Sequence, residues 1–270
     1  MSRSYLTAKR LALLERTLTP RDRAIIESLD RLRVATTDQL KRLHFADLTA
    51  HSASRQAPKA LARLADAHIV TKLERQLGGA RAGSKAAVWS LDVAGQRLAA
   101  VCGPAGGRLT RRPWTPSVAF LAHRLAVSEC FVTLAERCRV GDARLLDFDA
   151  EPLSWRCYAS PYGGTSTLKP DAFCRVAVGD FERGTFIEID RATEAPSTIT
   201  GKLRAYRQYW ETGREQERRG YFPRVTFAVP DEDRRAVVAG LFDAQPEESR
   251  PLWQVVVAGA LIPALIGEVE

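Results

Sequence analysis

From Thr19 onward apolar side chains return every three or four residues. Ile25, Ile26, Leu29 and Leu32 fall on one helical face, Thr19 is placed to cap that helix, and Pro20 suits its first turn. Leu40 and Leu43 give the inner side of a second, shorter helix capped by Thr36 or Thr37. A polar break follows over residues 47–54. The segment SRQAPKALARLADAHIV (54–70) then predicts a third helix with Leu61, Leu64 and Ala65 inward. Pro58 is expected in its first turn, because an interior proline removes a hydrogen bond from the ladder. Past Ile69 the period shortens towards two. VTKLERQL (70–77) and AAVWSLD (86–92) read as strands, separated by the glycine-rich basic turn GGARAGSK (78–85).

The pattern breaks at GPAGGRLTRRPWTP (103–116), where glycine and proline are too dense for regular structure. This predicts an N-terminal domain over 1–102, a linker over 103–116 and a second domain over 117–270. The second part alternates helical and strand-like runs. A long helix covers 117–138, and strands are expected at 143–151, 168–176, 184–190, 224–230 and 252–261, with helices at 200–213 and 232–244. Such an order predicts a mixed α/β domain with helices covering a sheet.

Charge separates the two halves. Residues 1–115 carry 21 basic and 9 acidic side chains, a net of +12, whereas 116–270 carry 19 and 23, a net of −4. A localised positive field attracts polyanions. The five cysteines, Cys102, Cys130, Cys138, Cys157 and Cys174, are odd in number and lack CxxC spacing, which points to a reduced protein rather than a disulfide or zinc framework. His44, His51 and His68 have no cysteine companions at ligand spacing and are read as structural or surface groups. With no apolar signal core at the N-terminus, and with the apolar stretch 252–266 interrupted by Gln254 and Pro263, the expectation is a cytoplasmic protein with no membrane partner.

Three helices followed by a hairpin resemble a winged helix-turn-helix over about residues 18–95. The resemblance implies double-stranded DNA as partner, with the third helix in the major groove. Arg55, Gln56, Lys59 and Arg63 would then face DNA, Arg81 and Lys85 would reach phosphates from the wing, and Arg111 and Arg112 would do so from the linker.

One constellation in the second half carries chemistry. Lys169-Pro170-Asp171 opens a strand, and Glu188-Ile189-Asp190 closes the next one. Residues two apart on a strand share a face, so Glu188 and Asp190 are expected to point together, with Ile187 and Ile189 in the core. Asp171 joins them if the strands pair. Crowded carboxylates repel unless a cation offsets them, and Mg2+ or Mn2+ suits such a donor set. Lys202, Tyr206 and Tyr209 lie on one face of the following helix and are expected to look back at the acids.

This order resembles the PD-(D/E)XK nuclease superfamily, that is, a restriction-endonuclease-like α/β domain. The resemblance implies that Asp171 and Glu188 are metal ligands and that Glu129 is the additional acid of the preceding helix. Asp190 stands where a lysine is expected, and Lys202 matches the variant that carries it on the next helix. The stretches LKPDAFCRV, FIEIDRATE and GKLRAYRQY also resemble the replication-relaxation family of plasmids and integrative elements, over about residues 18–260. This implies a mobile-element protein acting in replication, relaxation or transfer, working alone or with other processing proteins. Two functions follow: a metal-dependent DNA nickase using Asp171, Glu188, Asp190 and Lys202, or a non-catalytic DNA-binding regulator whose second domain forms a homodimer.

Overall fold

The computed structural model describes residues 7–73, 87–102, 117–160 and 163–268. The chain is a mixed α/β protein that divides into two compact units, Met1–Val132 and Thr133–Glu270.

The first unit contains α1 (Ala8–Thr17), α2 (Pro20–Leu32), β1 (Ala35–Thr36), α3 (Thr37–His44), α4 (Ala50–Asp66), β2 (Val70–Lys72), β3 (Val88–Leu91) and α5 (Val93–Cys102). Helix starts are fixed by side chains. Thr19 and Asp22 form a reciprocal capping box on α2, with Pro20 in the first turn, and Thr36 and Gln39 form another on α3. The strands make an antiparallel sheet in the order β1-β3-β2, with Ala35 opposite Trp89 and Val70 opposite Leu91. Ile25, Ile26, Leu29, Leu40, Ala57, Leu61 and Leu64 meet in one apolar core. Helix α5 approaches the start of the hairpin so closely that a Cβ on Gly95 would lie 2.1 Å from the Ile69 carbonyl oxygen.

Helix α4 departs from the sequence expectation in two ways. It begins at Ala50, because Thr49 caps it by accepting the Ser52 N–H, so the polar break is largely helical. Pro58 therefore lies well inside the 17-residue helix rather than in its first turn. Pro58 and Ser54, whose carbonyl loses its helical donor, are both exposed, so water can replace the missing bond.

The division between units falls inside α6 (Val118–Val140). Among the described residues α6 is the helix long and apolar enough to cross a membrane. It also buries Arg124 and Ser128, and the Ser128 hydroxyl donates to the Val34 carbonyl at 2.7 Å. The segment 103–116, with Arg111 and Arg112, and the turn carrying Arg81 and Lys85 lie outside the described residues.

The second unit continues with β4 (Arg144–Ala150), β5 (Arg156–Ala159), β6 (Thr165–Leu168), β7 (Ala172–Val178), β8 (Phe181–Ile189), α7 (Pro196–Glu211), α8 (Arg214–Arg219), β9 (Arg224–Val229), α9 (Glu232–Asp243), β10 (Trp253–Val257) and α10 (Leu261–Ile266). Its main sheet runs β10-β9-β8-β7-β4. Strands β4, β7 and β8 form an antiparallel meander, while β8, β9 and β10 are parallel. Parallel neighbours need crossovers, and α7 and α9 supply them. Strands β5 and β6 form a separate hairpin.

Phe186 and Ile187 point to opposite faces of β8 and both are fully buried, so the sheet is covered on two sides. Tyr206, Phe227 and Leu203 join Phe186 in the apolar cluster of this unit. The simple division of β8 into an apolar and an acidic side therefore does not hold. Glu188 shares a face with Phe186, and Ile189 is only half-buried.

Candidate functional site

Asp171 precedes β7 and Glu188 lies near the end of β8, so the antiparallel pairing of these strands carries both acids to one end of the sheet. Asp171 Oδ2 accepts the Ile189 N–H at 2.7 Å. Glu188 is 1% exposed, yet it is hydrogen-bonded through both oxygens. The Tyr206 hydroxyl donates to its Oε1 at 2.6 Å, and Lys202 Nζ donates to its Oε2 at 2.9 Å. Helix α7 makes this possible, since Lys202 and Tyr206 are four residues apart and lie on one face.

Lys202 also pairs with Glu194 at 2.8 Å, a residue the sequence reading did not single out. The other oxygen of Glu194, Oε2, is buried without a hydrogen-bond partner among the described residues. Three carboxylates, Asp171, Glu188 and Glu194, thus surround or adjoin a single ammonium group.

The electrostatics follow from that imbalance. Burial, then repulsion by Asp171, pushes the Glu188 carboxyl up to about 7, against the pull of Lys202 and Tyr206. Burial alone would lower Lys202. Attraction to Glu188 and Asp171, with the hydrogen bonds to Glu194 and Glu188, outweighs it and raises the ammonium above its ordinary value. The two directions agree physically, because Asp171 repels the carboxylate and attracts the ammonium. Tyr206 is driven well above the ordinary phenol range by burial and by Glu188, so it stays a donor.

Asp190 sits just past β8 in a different arrangement. Arg234 of α9 donates to its Oδ2 at 2.6 Å and the Ala192 N–H to its Oδ1 at 2.8 Å. Its charge is committed to that arginine. Glu129 belongs to the first unit, where it pairs with Arg42 and accepts from Gln39 Nε2 at 2.9 Å. Among the described residues no three His, Cys, Asp or Glu side chains stand ready to hold a metal ion. The donor chemistry still suits a hard divalent cation: all the oxygens are carboxylate, one is an orphan, and negative charge is in excess.

The basic positions of the first unit are divided by the same test of partners. Arg55, Gln56 and Lys59 are exposed on α4, opposite buried Ala53, Ala57, Leu61 and Leu64. Arg63 instead pairs with the buried Asp22 of α2. Burial raises the Asp22 carboxyl, but hydrogen bonds with Thr19 and the Arg63 charge lower it further, and the net shift is downward. Sequence spacing could not separate Arg63 from its neighbours, because its partner lies 41 residues away.

The fold and the buried cluster define an α/β protein with a helix-and-hairpin unit and an acidic site at the end of a meander-and-crossover sheet. The family model described as replication-relaxation matches residues 26–225, and the chain belongs to that family. No match was found among curated proteins or among solved structures.

Proposed function

We propose that the protein is a DNA-binding protein of a plasmid or integrative element that processes DNA at the Asp171–Glu188–Lys202 cluster. The family's description points to replication and relaxation. The observation that carries the catalytic reading is the contact of Lys202 with Glu188 at 2.9 Å, beside Asp171. It sets a lysine on the crossover helix against the acid of the strand before it, as in the nuclease variant that lacks a lysine two residues after the Glu.

In this reading Arg55, Gln56 and Lys59 of α4 meet the duplex, with Arg81, Lys85, Arg111 and Arg112 as further phosphate contacts. Asp171 and Glu188 would hold Mg2+ or Mn2+, which when bound polarises a phosphodiester and acidifies an attacking water. Lys202 then has its ammonium next to the substrate phosphate, where it stabilises developing negative charge. Tyr206 keeps Glu188 oriented. Asp190 and Arg234 hold the end of β8 in place.

The test is nicking of a supercoiled plasmid carrying the protein's own genomic neighbourhood, with Mg2+ or Mn2+, beside Asp171→Ala. Nicking by the wild type alone, with equal DNA binding by both, is the expected outcome. Equal nicking by the variant overturns the assignment. A second reading, a non-catalytic DNA-binding regulator, is favoured by the Lys202 ammonium, which already pairs with both Glu188 and Glu194. It predicts binding without nicking by either protein.

A further inference from the structure

Between β4 and β5 the chain exposes two apolar side chains in a segment that is otherwise tightly held. Leu153 is 39% exposed and Trp155 37%. Ser154, between them, is fully buried, and its hydroxyl donates to the Pro170 carbonyl at 2.6 Å. The Glu151 N–H donates to the Asp171 carbonyl at 3.2 Å. Arg156 Nη1 donates to the carbonyls of Leu153, Ser154 and Trp155 at 3.2, 2.8 and 3.2 Å. The same guanidinium is anchored through Nε to the buried Glu215 at 3.1 Å. The indole is therefore presented by a backbone fixed at several points, and more than a third of the residue stays exposed.

Lys169 identifies the open side of the ring. It is exposed, and its ammonium stands 4.8 Å from the Trp155 ring centroid. That exposed ammonium, rather than an apolar side chain, covers this face of the indole, so another group can take its place there. Pro170 and Asp171 follow Lys169 directly in sequence. Arg156 and Leu168 are partners in the β5–β6 hairpin, so Trp155 and Lys169 flank its base beside the candidate site.

We propose that Trp155 and Lys169 form a stacking platform for an unpaired nucleotide, so that the second unit takes single-stranded DNA at the Asp171–Glu188 site. This rests on the reading of that unit as DNA-processing. A flat aromatic face under an exposed ammonium matches one nucleotide: the base takes the place of the ammonium on the indole, and the ammonium pairs with the phosphate. Bases inside a duplex are already stacked and cannot offer a free face. The bound strand then passes next to Asp171, which lies two residues beyond Lys169.

The experiment is equilibrium binding of a short labelled oligothymidylate and of a labelled duplex to the full chain in EDTA, so that metal and cleavage play no part. Trp155→Ala is expected to weaken oligothymidylate binding roughly tenfold or more. Duplex affinity should be unchanged. Trp155→Phe should restore most of the single-strand affinity and remove part of the tryptophan fluorescence quenching expected when the wild type binds the oligothymidylate. Lys169→Gln should reduce the salt dependence of single-strand binding. Equal oligothymidylate affinity for wild type and Trp155→Ala overturns the platform. Duplex binding without oligothymidylate binding by the wild type also overturns it, and leaves the DNA-binding reading standing. If the wild type binds neither probe, both readings fall.

Discussion

Glu188 and Glu215 are each about 1% exposed, and each accepts a hydrogen bond from a tyrosine of α7, Tyr206 and Tyr209, one turn apart. Their charges are handled in opposite ways. Glu215 faces Arg156 at 3.1 Å and Arg219 at 2.7 Å. Burial raises its carboxyl, but the hydrogen bonds from Arg219 and Tyr209 and the charges of both arginines prevail, and the net shift is downward. Glu188 has one lysine, which it shares with Glu194, and it also faces Asp171, so its carboxyl is raised to about 7. The matched acid serves to fasten α8 and the start of the β5–β6 hairpin. The under-neutralised acid retains demand for positive charge.

The comparison breaks most sharply on stability. Glu215→Gln leaves two largely buried guanidinium groups without their anion, and it should cost about 3–5 kcal/mol in urea unfolding. Glu188→Gln should cost far less at pH 8, because it removes a carboxylate that is costly to ionise there. A loss as large as that of Glu215→Gln would show that Glu188 is equally structural.

A second difference is in the sign of the pH response. The raised folded value of Glu188 means that the unfolded chain gives up this proton first as pH rises. Its contribution is then present below the ordinary carboxyl range and is lost between about 4.5 and about 7. Wild type should lose on the order of 2–3 kcal/mol relative to Glu188→Gln between pH 4.5 and 8, read from unfolding curves. Glu215 works the other way: its lowered value gives stability above the ordinary range that disappears on acidification through the folded value. The smallest effect is expected from Asp171→Asn, which keeps an acceptor for the Ile189 N–H and removes the repulsion. The Glu188 midpoint, followed by carboxyl NMR, should move down. An unchanged midpoint would mean that burial alone sets it.

Much of this arrangement was legible in the sequence. The caps at Thr19 and Thr36 are local signals and reappear in place. Of the face expected to carry Lys202, Tyr206 and Tyr209 to the acids, Lys202 and Tyr206 do meet Glu188, whereas Tyr209 donates to Glu215 instead. What the sequence hid are pairings between distant residues. Arg156 and Glu215 are 59 positions apart, Asp190 and Arg234 are 44, and Arg42 and Glu129 are 87. No periodicity connects such residues, so Asp190 and Glu129 read as site acids although each has an arginine of its own. Glu194 escaped notice because it lies in an irregular segment, where only the return of α7 brings Lys202 to it. The early start of α4 is hidden in the sequence because Thr49 lies in a run of polar residues, where a cap looks like part of a loop.

The contact between Gly95 and the Ile69 carbonyl has a consequence for how this chain can diverge. A methyl group placed there would overlap an oxygen that already receives the Asp92 N–H at 2.9 Å, so neither side can yield without parting α5 from the hairpin. A side chain at position 95 therefore requires α5 to move off the hairpin, while the exposed Val93 can change without that shift. Sequence drift in this helix is channelled around a single fixed point, and any descendant that changes it must first rebuild the turn that leads into the helix.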